Sequence, residues 1–414
     1  MSNSSPDLKS SLATEHVASA RFEAARQIAA ATDGSIDKFN RLHGHGFLVS
    51  AFVDPSLDLI GGAAAAPLAA WPPYVGGEVP ALSEQLQTYS QQLDYQSLND
   101  IITDPTDINI ARWFASRFSD AARVDPTFTP TAARGVCAIA LQSTPDQGVV
   151  VGVAVDALVW RRYRFQAAHQ LPNVRVGHKC GRLHGHGFEV VLYARSDQGT
   201  VASDKTDYDT LDRAWAQVSG LLCYRCLNDI PGLENPTSEM LSSWLWQRLI
   251  GVLPTLTAVS VYETASCGAT FDGERYRIWK DFTIDSAVRY RHAARGGVGT
   301  DLDDPRARVH GYTYTLRLNL SAPLDQVMGW TVDFGDVKEV FNPVFKALDH
   351  HPLHENAELS LVSDGDTGSM AQWLFAKTQD LLPSLVRVDL FETEGCGSSV
   401  GTDLQGPVLP LVRA

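Results

Sequence analysis

Leu183-His184-Gly185-His186-Gly187-Phe188 has a twin upstream in Leu42-His43-Gly44-His45-Gly46-Phe47 and a worn third copy downstream in Val309-His310-Gly311-Tyr312. A small-residue pair precedes each copy: Ala24-Ala25-Arg26, Ala167-Ala168-His169 and Ala293-Ala294-Arg295. Leu93-Asp94-Tyr95, Leu222-Cys223-Tyr224 and Leu348-Asp349-His350 follow in the same order, and Leu98-Asn99-Asp100 matches Leu227-Asn228-Asp229. Near the unit ends, Glu263-Thr264-Ala265-Ser266-Cys267-Gly268 matches Glu392-Thr393-Glu394-Gly395-Cys396-Gly397, where the first copy has Gln142-Ser143-Thr144. Ordered markers repeated three times mean one structural unit repeated three times. A chain of 414 residues, too long for one ordinary core, accommodates that.

Apolar periodicity sets the elements within a unit. His184, His186, Phe188, Val190 and Leu192 alternate with Gly185, Gly187, Glu189, Val191 and Tyr193, which is the period of a strand. Trp160 to Gln170 reads as its hairpin partner. Thr237-Ser238-Glu239 opens an apolar-periodic run through Trp244, Leu245 and Leu249, a capped helix. Val332 to Leu348 supplies an earlier helix in copy three, and Val386 to Glu392 alternates as a strand. Each unit is thus strand, strand, helix, helix, strand, strand, an α+β class. Unit boundaries fall near 150 and 280, giving units over 15–150, 151–280 and 281–414 behind a polar, Ser-rich tail over 1–14. The Gly/Ala/Pro-rich stretch from Gly61 to Pro80 reads as a surface loop inserted in copy one. Trp244, Trp246 and Trp373 sit in helical patterns and belong to the core rather than to a ligand-stacking surface.

Composition excludes some functions. A hydrophobic share of 44% and a charged share of 20% describe a soluble globular chain. The formal charge of −14 argues against a nucleic-acid-binding face, though a local basic pocket is compatible with it. The six cysteines form no disulfide framework, and Cys223 with Cys226 is a lone CxxC lacking the second pair a zinc ribbon needs. No signal-peptide pattern and no bilayer-length apolar run is present, so a reducing cytoplasm is the expected compartment.

The chemistry concentrates in copy two. Side chains two apart on a strand point the same way, so His184 and His186 share a face. Gly185 between them lets a neighbouring backbone approach, and His169, near the end of the hairpin partner, can supply a third imidazole. Three protein ligands with one open position is the pattern of catalytic zinc. A paired HxH alone is more often polar surface; the third histidine at the matching position changes the balance. Copy one has Arg26 in the third place, and copy three has Tyr312 and Arg295 beside His310. Arginine stays protonated and cannot ligate a cation, so one metal per chain is expected.

These residues resemble a family. Phe165-Gln166-Ala167-Ala168-His169 followed by Cys180-Gly181-Arg182-Leu183-His184-Gly185-His186 is similar to the 6-pyruvoyltetrahydropterin synthase and 6-carboxytetrahydropterin synthase family. Gly329-Trp330-Thr331-Val332-Asp333-Phe334, with Leu348-Asp349-His350 after it, looks like that family's central segment. The resemblance implies the tunnelling fold: three units, each a four-stranded antiparallel sheet with two helices outside, closing a twelve-stranded pseudo-trimeric barrel. It implies a monomer or a face-to-face homodimer, and a small-molecule pterin as partner. It places the zinc triad on His169, His184 and His186, the reactive cysteine on Cys180, and the Asp-His pair on Asp349 and His350. The pterin-anchoring glutamate falls on Glu392, with Glu263 its equivalent in copy two. The three-residue gap between Cys180 and His184 resembles the carboxytetrahydropterin branch, whose setting includes queuosine biosynthesis. No copy is complete, but copies two and three are complementary, so a single composite site between them is expected.

By this resemblance the substrate is dihydroneopterin triphosphate or a related pterin, and the chain is a zinc-dependent lyase that eliminates triphosphate and releases acetaldehyde. Cys180 is the expected base once ionised, helped by the zinc charge and by Lys179 and Arg182, and Asp349 with His350 the oriented acid/base pair. Arg175, Lys179 and Arg182 cluster beside the site and suit a triphosphate, though scattered loop charge explains them equally well. Two other readings use the same residues: a specialised-pathway lyase or cyclase on another small molecule, and a non-catalytic pterin- or metal-binding module. Retention of Cys180 together with Asp349 and His350 weighs against the second.

Overall fold

The structure, a computed structural model, describes residues 12–28, 41–54, 78–124, 136–152, 157–196, 206–289, 308–362, 366–393 and 395–404. Unit one contains β1 (Ala13–Arg26), β2 (His43–Val53), α1 (Glu78–Gln91), the two-residue β3 (Gln96–Ser97), α2 (Asp107–Val124), β4 (Val136–Thr144) and β5 (Gln147–Gly152). Unit two repeats it with β6 (Leu158–His169), β7 (His184–Arg195), α3 (Tyr208–Leu222), the short β8 (Arg225–Cys226), α4 (Ser238–Leu249), β9 (Leu256–Thr264) and β10 (Cys267–Phe271). Unit three has β11 (Tyr276–Val288), β12 (His310–Leu320), α5 (Phe334–Leu348), the short α6 (Leu359–Val362), α7 (Thr367–Gln379), β13 (Leu385–Thr393) and β14 (Cys396–Gly401).

Twelve long strands pair antiparallel in the order β1-β2-β4-β5-β6-β7-β9-β10-β11-β12-β13-β14. β14 returns to β1 through Ala13↔Gly401 to Val17↔Gly397, so the sheet is a closed barrel with no free long edge. Period-2 alternation sends Phe188, Val190, Leu192 and Ala194 of β7 to the helix-covered face, where they join the main core. Val191 and Tyr193 turn the other way and cluster with Leu158, Trp160 and Ala258 in the lumen. In unit three the lumen face is ionic. The Arg317 guanidinium is bidentate on Asp281 at 2.7 and 3.0 Å, and Arg387 pairs with Asp389.

Two of the three seams between units use one packing device. Trp160 of β6 faces Gly148 of β5, and Trp279 of β11 faces Gly268 of β10. A Cβ on Gly268 would collide with the Val261 carbonyl oxygen and the Trp279 ring. At the closing seam Val17 stands opposite Gly397 instead.

The register also leaves a notch at each seam. β7 meets β9 only from Glu189 onward, while β11 runs on beyond Lys280, which pairs with Cys267. The turn joining β9 to β10 therefore stops short of both flanking strands. The notch between units two and three has His184–Phe188 on one wall, Phe282–Val288 on the other, and Glu263 to Cys267 as its floor. β2 likewise meets β4 only from Leu48, and β12 meets β13 only from Thr315.

Several sequence expectations are adjusted. Ala13 and Thr14, read as tail, lie in β1, because the closing pairs with Gly401 and Val400 require them. The second unit boundary sits at the Asp272–Arg275 turn between β10 and β11, where Gly273 has φ +98°, and position 280 falls inside β11. Most of the Gly61–Pro80 insertion lies outside the described residues; its end, from Glu78, opens α1. The small-residue marker of copy three is Ser286-Ala287-Val288. Val288 stands opposite His310 as His169 stands opposite His184, whereas Ala293-Ala294-Arg295 lies outside the described residues. Strand pairing fixes that position; two adjacent alanines do not.

The seam geometry gives a stability test. Gly268→Ala should destabilise the chain by about 1–3 kcal/mol through overpacking. Gly46→Ala, whose Cβ would meet nothing within 4 Å, should leave the urea midpoint nearly unchanged. Equal midpoints for the two variants would refute the seam argument.

Candidate metal centre and its cleft

β6 ends on His169 and β7 begins on His184, with the two directly paired and His186 opposite Ala167. A Cβ on Gly185 would lie 3.1 Å from the Ala167 carbonyl oxygen, so glycine lets the strands come this close. The ligand atoms of His169, His184 and His186 lie within 4.8 Å of one another, the one such His/Cys/Asp/Glu group of three among the described residues. Every Nδ1 faces a backbone carbonyl: His169 that of Pro236 at 3.3 Å, His184 that of Arg182 at 2.8 Å, and His186 that of Gly187 at 3.0 Å. A carbonyl only accepts, so each Nδ1 carries the proton and each Nε2 presents a lone pair. The Nε2 atoms of His169 and His186 are 3.2 Å apart. Two lone pairs at that distance repel unless a cation lies between them. Tetrahedral zinc with nitrogens at ~2.0–2.1 Å separates its ligands by ~3.3 Å. Burial, and behind it the two neighbouring imidazoles, lower His169 to about 4 against the contrary pull of the Pro236 carbonyl. The donor set, its tautomers and its spacing fit zinc.

The other copies fill this position differently. Arg26 is 1% exposed and sends Nη1 to the Pro105 carbonyl at 3.1 Å and to Asp107 at 2.6 Å. Pro105 thus serves Arg26 as Pro236 serves His169. Asp107 also accepts from Ser143 and from Tyr208 of unit two, so a hydrogen bond ties this ion pair to the neighbouring unit. In copy three, Val288 takes the third place and Tyr312 the second.

Cys180 lies in a 3-10 turn between β6 and β7, with Lys179 beside it. Its thiol is pushed up by burial and by the Glu263 carboxylate, and Lys179 only partly offsets this. Lys179 and Arg182, the cations expected to favour the thiolate, flank Cys180 in the sequence. Both cations, with Arg175, lie exposed on the same loop. Glu263 rises at the notch floor; partial burial lifts its carboxyl, while His184 and Lys179 pull it back. The glutamate facing the triad is therefore Glu263. Glu392 belongs to the next notch, where it acts on Tyr314. Of these two equivalent glutamates, Glu263 is the one at this notch, because each hairpin turn floors the notch on its own unit's far side.

Asp349 and His350 line the opposite wall. Asp285 of β11 pairs with Thr313 on one side, and its other edge is taken by this segment. The Asp285 N–H donates to Asp349 Oδ1 at 3.0 Å, and its carbonyl accepts from the His350 N–H at 2.7 Å. His350 has φ +58°, a left-handed backbone shared by Tyr95 and Tyr224 at the equivalent positions. Strain of this kind costs about 1–3 kcal/mol and concentrates at functional sites. The ring of His350 is exposed, with Nδ1 2.9 Å from Asp349 Oδ2. β9 and β10 separate β7 from β11 below the notch, and the Asp349–His350 segment fills part of that span beside β11. Cys180, in the turn that leads into β7, and His350, held against β11, thus come from opposite walls of the notch.

Other residues at this site carried no role in the sequence reading. His178 accepts the Cys180 N–H at 3.2 Å, and its Nε2 lies 3.7 Å from Asp333 of unit three. Glu239, buried at the start of α4, is raised to about 7 by burial although the Thr331 N–H opposes the shift. The available signals were the run Gly329 to Phe334 and a histidine two residues before Cys180.

Fold and cleft together define a single-chain barrel of tandem units, with one cluster of three histidines among the described residues, at the seam between units two and three. The family model described as 6-pyruvoyl tetrahydropterin synthase matches residues 158–274 and again 277–402, more than half of the chain. The chain belongs to that family. A 6-carboxy-5,6,7,8-tetrahydropterin synthase from a Synechocystis species is 36% identical over 125 residues, covering 28% of this chain and 95% of that protein. Among solved structures, the Caenorhabditis elegans 6-pyruvoyl tetrahydropterin synthase is 18% identical and covers 30% of this chain and 92% of that one, at a TM-score of 0.27. The uricase from Arthrobacter globiformis is 12% identical and covers 56% and 80%, at a TM-score of 0.30. Structural likenesses this low carry no functional weight. Among the described residues no helix is long and apolar enough to cross a membrane.

The Asp349–His350 pair can be tested directly. The Asp349 hydrogen bond raises the His350 pKa. The pair's stabilisation is thus present below the ordinary histidine value and is lost as pH rises through the raised one. An NMR titration should find His350 above free histidine, and Asp349→Asn should return it toward the free value. An unchanged titration in Asp349→Asn would show that the contact does not form in solution.

Proposed function

We propose that the chain is a zinc-dependent lyase of the 6-carboxytetrahydropterin synthase type, acting on dihydroneopterin triphosphate or a related pterin in one composite cleft between units two and three. The observation that carries this is the convergence of three imidazole Nε2 atoms, with every Nδ1 tied to a carbonyl, above the Glu263 floor. Zinc, when bound, supplies a Lewis acid that polarises a substrate oxygen and acidifies the adjacent C–H.

The chain's own groups divide the remaining work. Glu263 suits the amino-pyrimidine edge of a pterin, whose two N–H donors a carboxylate accepts in parallel. Cys180, beside the triad, is placed to take a proton once ligand charge offsets the burial that holds it neutral. On the far wall, His350 is held by Asp349 as an oriented acid/base group facing the substrate side chain. Lys179, Arg175 and Arg182 border the mouth and suit a triphosphate. The register supports a composite site, since the histidine wall comes from unit two and the Asp-His wall from unit three. Barrel closure within one chain supports a monomer or a face-to-face dimer, which light scattering tests against a hexamer of full-length chains.

Elemental analysis should find one zinc per chain, lost in His184→Ala and kept in His43→Ala. His350→Ala should keep the zinc yet slow turnover of dihydroneopterin triphosphate, followed by mass analysis of products, by about 100- to 10,000-fold. No conversion of that compound by the zinc-loaded wild-type chain would end this reading of the substrate. Two or three zinc equivalents would end the single-site reading.

A further inference from the structure

Unit three reaches the unit-two histidine cluster by a second route, separate from Asp349 and His350. The segment from Asp325 to Asp333, between β12 and α5, lies across the start of α4 and the loop that carries Cys180. Its shape is set locally. Asp325 Oδ1 accepts from the Val327 and Met328 N–H groups at 2.8 and 3.0 Å, and the Gly329 N–H donates to the Asp325 carbonyl at 2.8 Å. The turn presents three successive carbonyls to unit two. Asn173 Nδ2 donates to that of Val327 at 2.6 Å, Asn235 Nδ2 to that of Met328 at 2.6 Å, and the Thr237 hydroxyl to that of Gly329. Further along, the Thr331 N–H donates to buried Glu239 at 2.8 Å. At its end, Asp333 faces His178.

Asn235 and Thr237 flank Pro236, whose carbonyl faces His169 Nδ1. We propose that the Asp325–Asp333 strap of unit three is the positioning element of the unit-two metal centre, fixing the Pro236 carbonyl that aims His169 and, through His178, the turn that bears Cys180. This rests on reading the triad as a metal site. The physical reason is that an imidazole ring turns about two side-chain bonds, and a hydrogen bond on Nδ1 decides where the Nε2 lone pair points. His184 and His186 take their carbonyls from Arg182 and Gly187, close by in their own segment, and need no outside support. His169 depends on a residue far along the chain, and unit three clamps that residue on both sides. Linkage is reciprocal, so metal binding also favours the docked strap.

The decisive variant lies in the strap, away from the histidines. Gly329 has φ +73°, and a Cβ there would stand 2.6 Å from Asn235 Nδ2. Gly329→Ala in the full-length chain should weaken zinc binding by about 10- to 100-fold, the usual effect of losing an outer support, while saturation still reaches one equivalent. Affinity is read by competition with a chromogenic chelator. In the same variant the Cys180 backbone amide should exchange faster with deuterium. Gly273→Ala is the control. Its φ is +98° and its Cβ would meet the Trp246 ring at 2.6 Å, so it carries similar strain away from the strap and should bind zinc as the wild type does. If Gly329→Ala does not fold, Asn235→Ala, which deletes one strap contact without strain, should weaken zinc binding in the same direction. Unchanged affinity in the strap variants, or an equal loss in Gly273→Ala, overturns the proposal. A wild-type chain that binds no zinc would instead remove the metal reading beneath it.

Discussion

The pairing of Ala13–Val17 with Gly397–Gly401 closes the barrel, and the seams and notches follow from that closure. Once the two ends of the chain share a ladder, every unit has a neighbour on both sides and no long strand edge remains open. Each hairpin turn must then stop at a seam. The first strand of the next unit continues past it, and a notch opens between two units. The cleft is thus a product of closure and register together, not of any one unit's fold.

Closure also explains why the three notches can differ. A ring of identical subunits repeats every change at every seam, whereas a tandem chain can alter one seam and keep another. The seam between units two and three keeps His169, His184, His186 and Glu263 on one side and Asp349 with His350 on the other. In unit one, Arg26 occupies the third position and is neutralised by Asp107, which Ser143 and Tyr208 complete. That arrangement gives up a ligand site and gains a buried, hydrogen-bonded link between units. Both carboxylate oxygens of Asp107 accept hydrogen bonds, which offsets part of the cost of burying the pair.

The histidine cluster in this cleft has the Glu263 carboxylate beside it. All three rings turn their protonated nitrogens outward to carbonyls, so the centre is lined by lone pairs alone. Glu263 is close enough to act on His184 and on Cys180, and it raises the thiol rather than lowering it. A cation held by the three histidines would favour both the thiolate and the carboxylate, the usual coupling between a metal and the acid groups around it.

The repeat, the strand-strand-helix-helix order, the histidine pair two residues apart on one face and the single copy with a third imidazole are all legible in the order of residues. These are local facts: side-chain period on a strand, capping at Thr237 and order of markers are all written within one unit. Tertiary structure decided which glutamate joins the histidines, because Glu263 and Glu392 have equivalent local sequences and only the register shows which notch each one floors. It likewise replaced Arg295 by Val288 as the counterpart of His169, since cross-strand pairing sets that position. The role of Pro236, the strap from Asp325 to Asp333 and the His178–Asp333 contact were illegible for the same reason. Each depends on groups brought together over long stretches of chain, and hydrogen bonds to backbone carbonyls leave no residue type in the sequence to mark them.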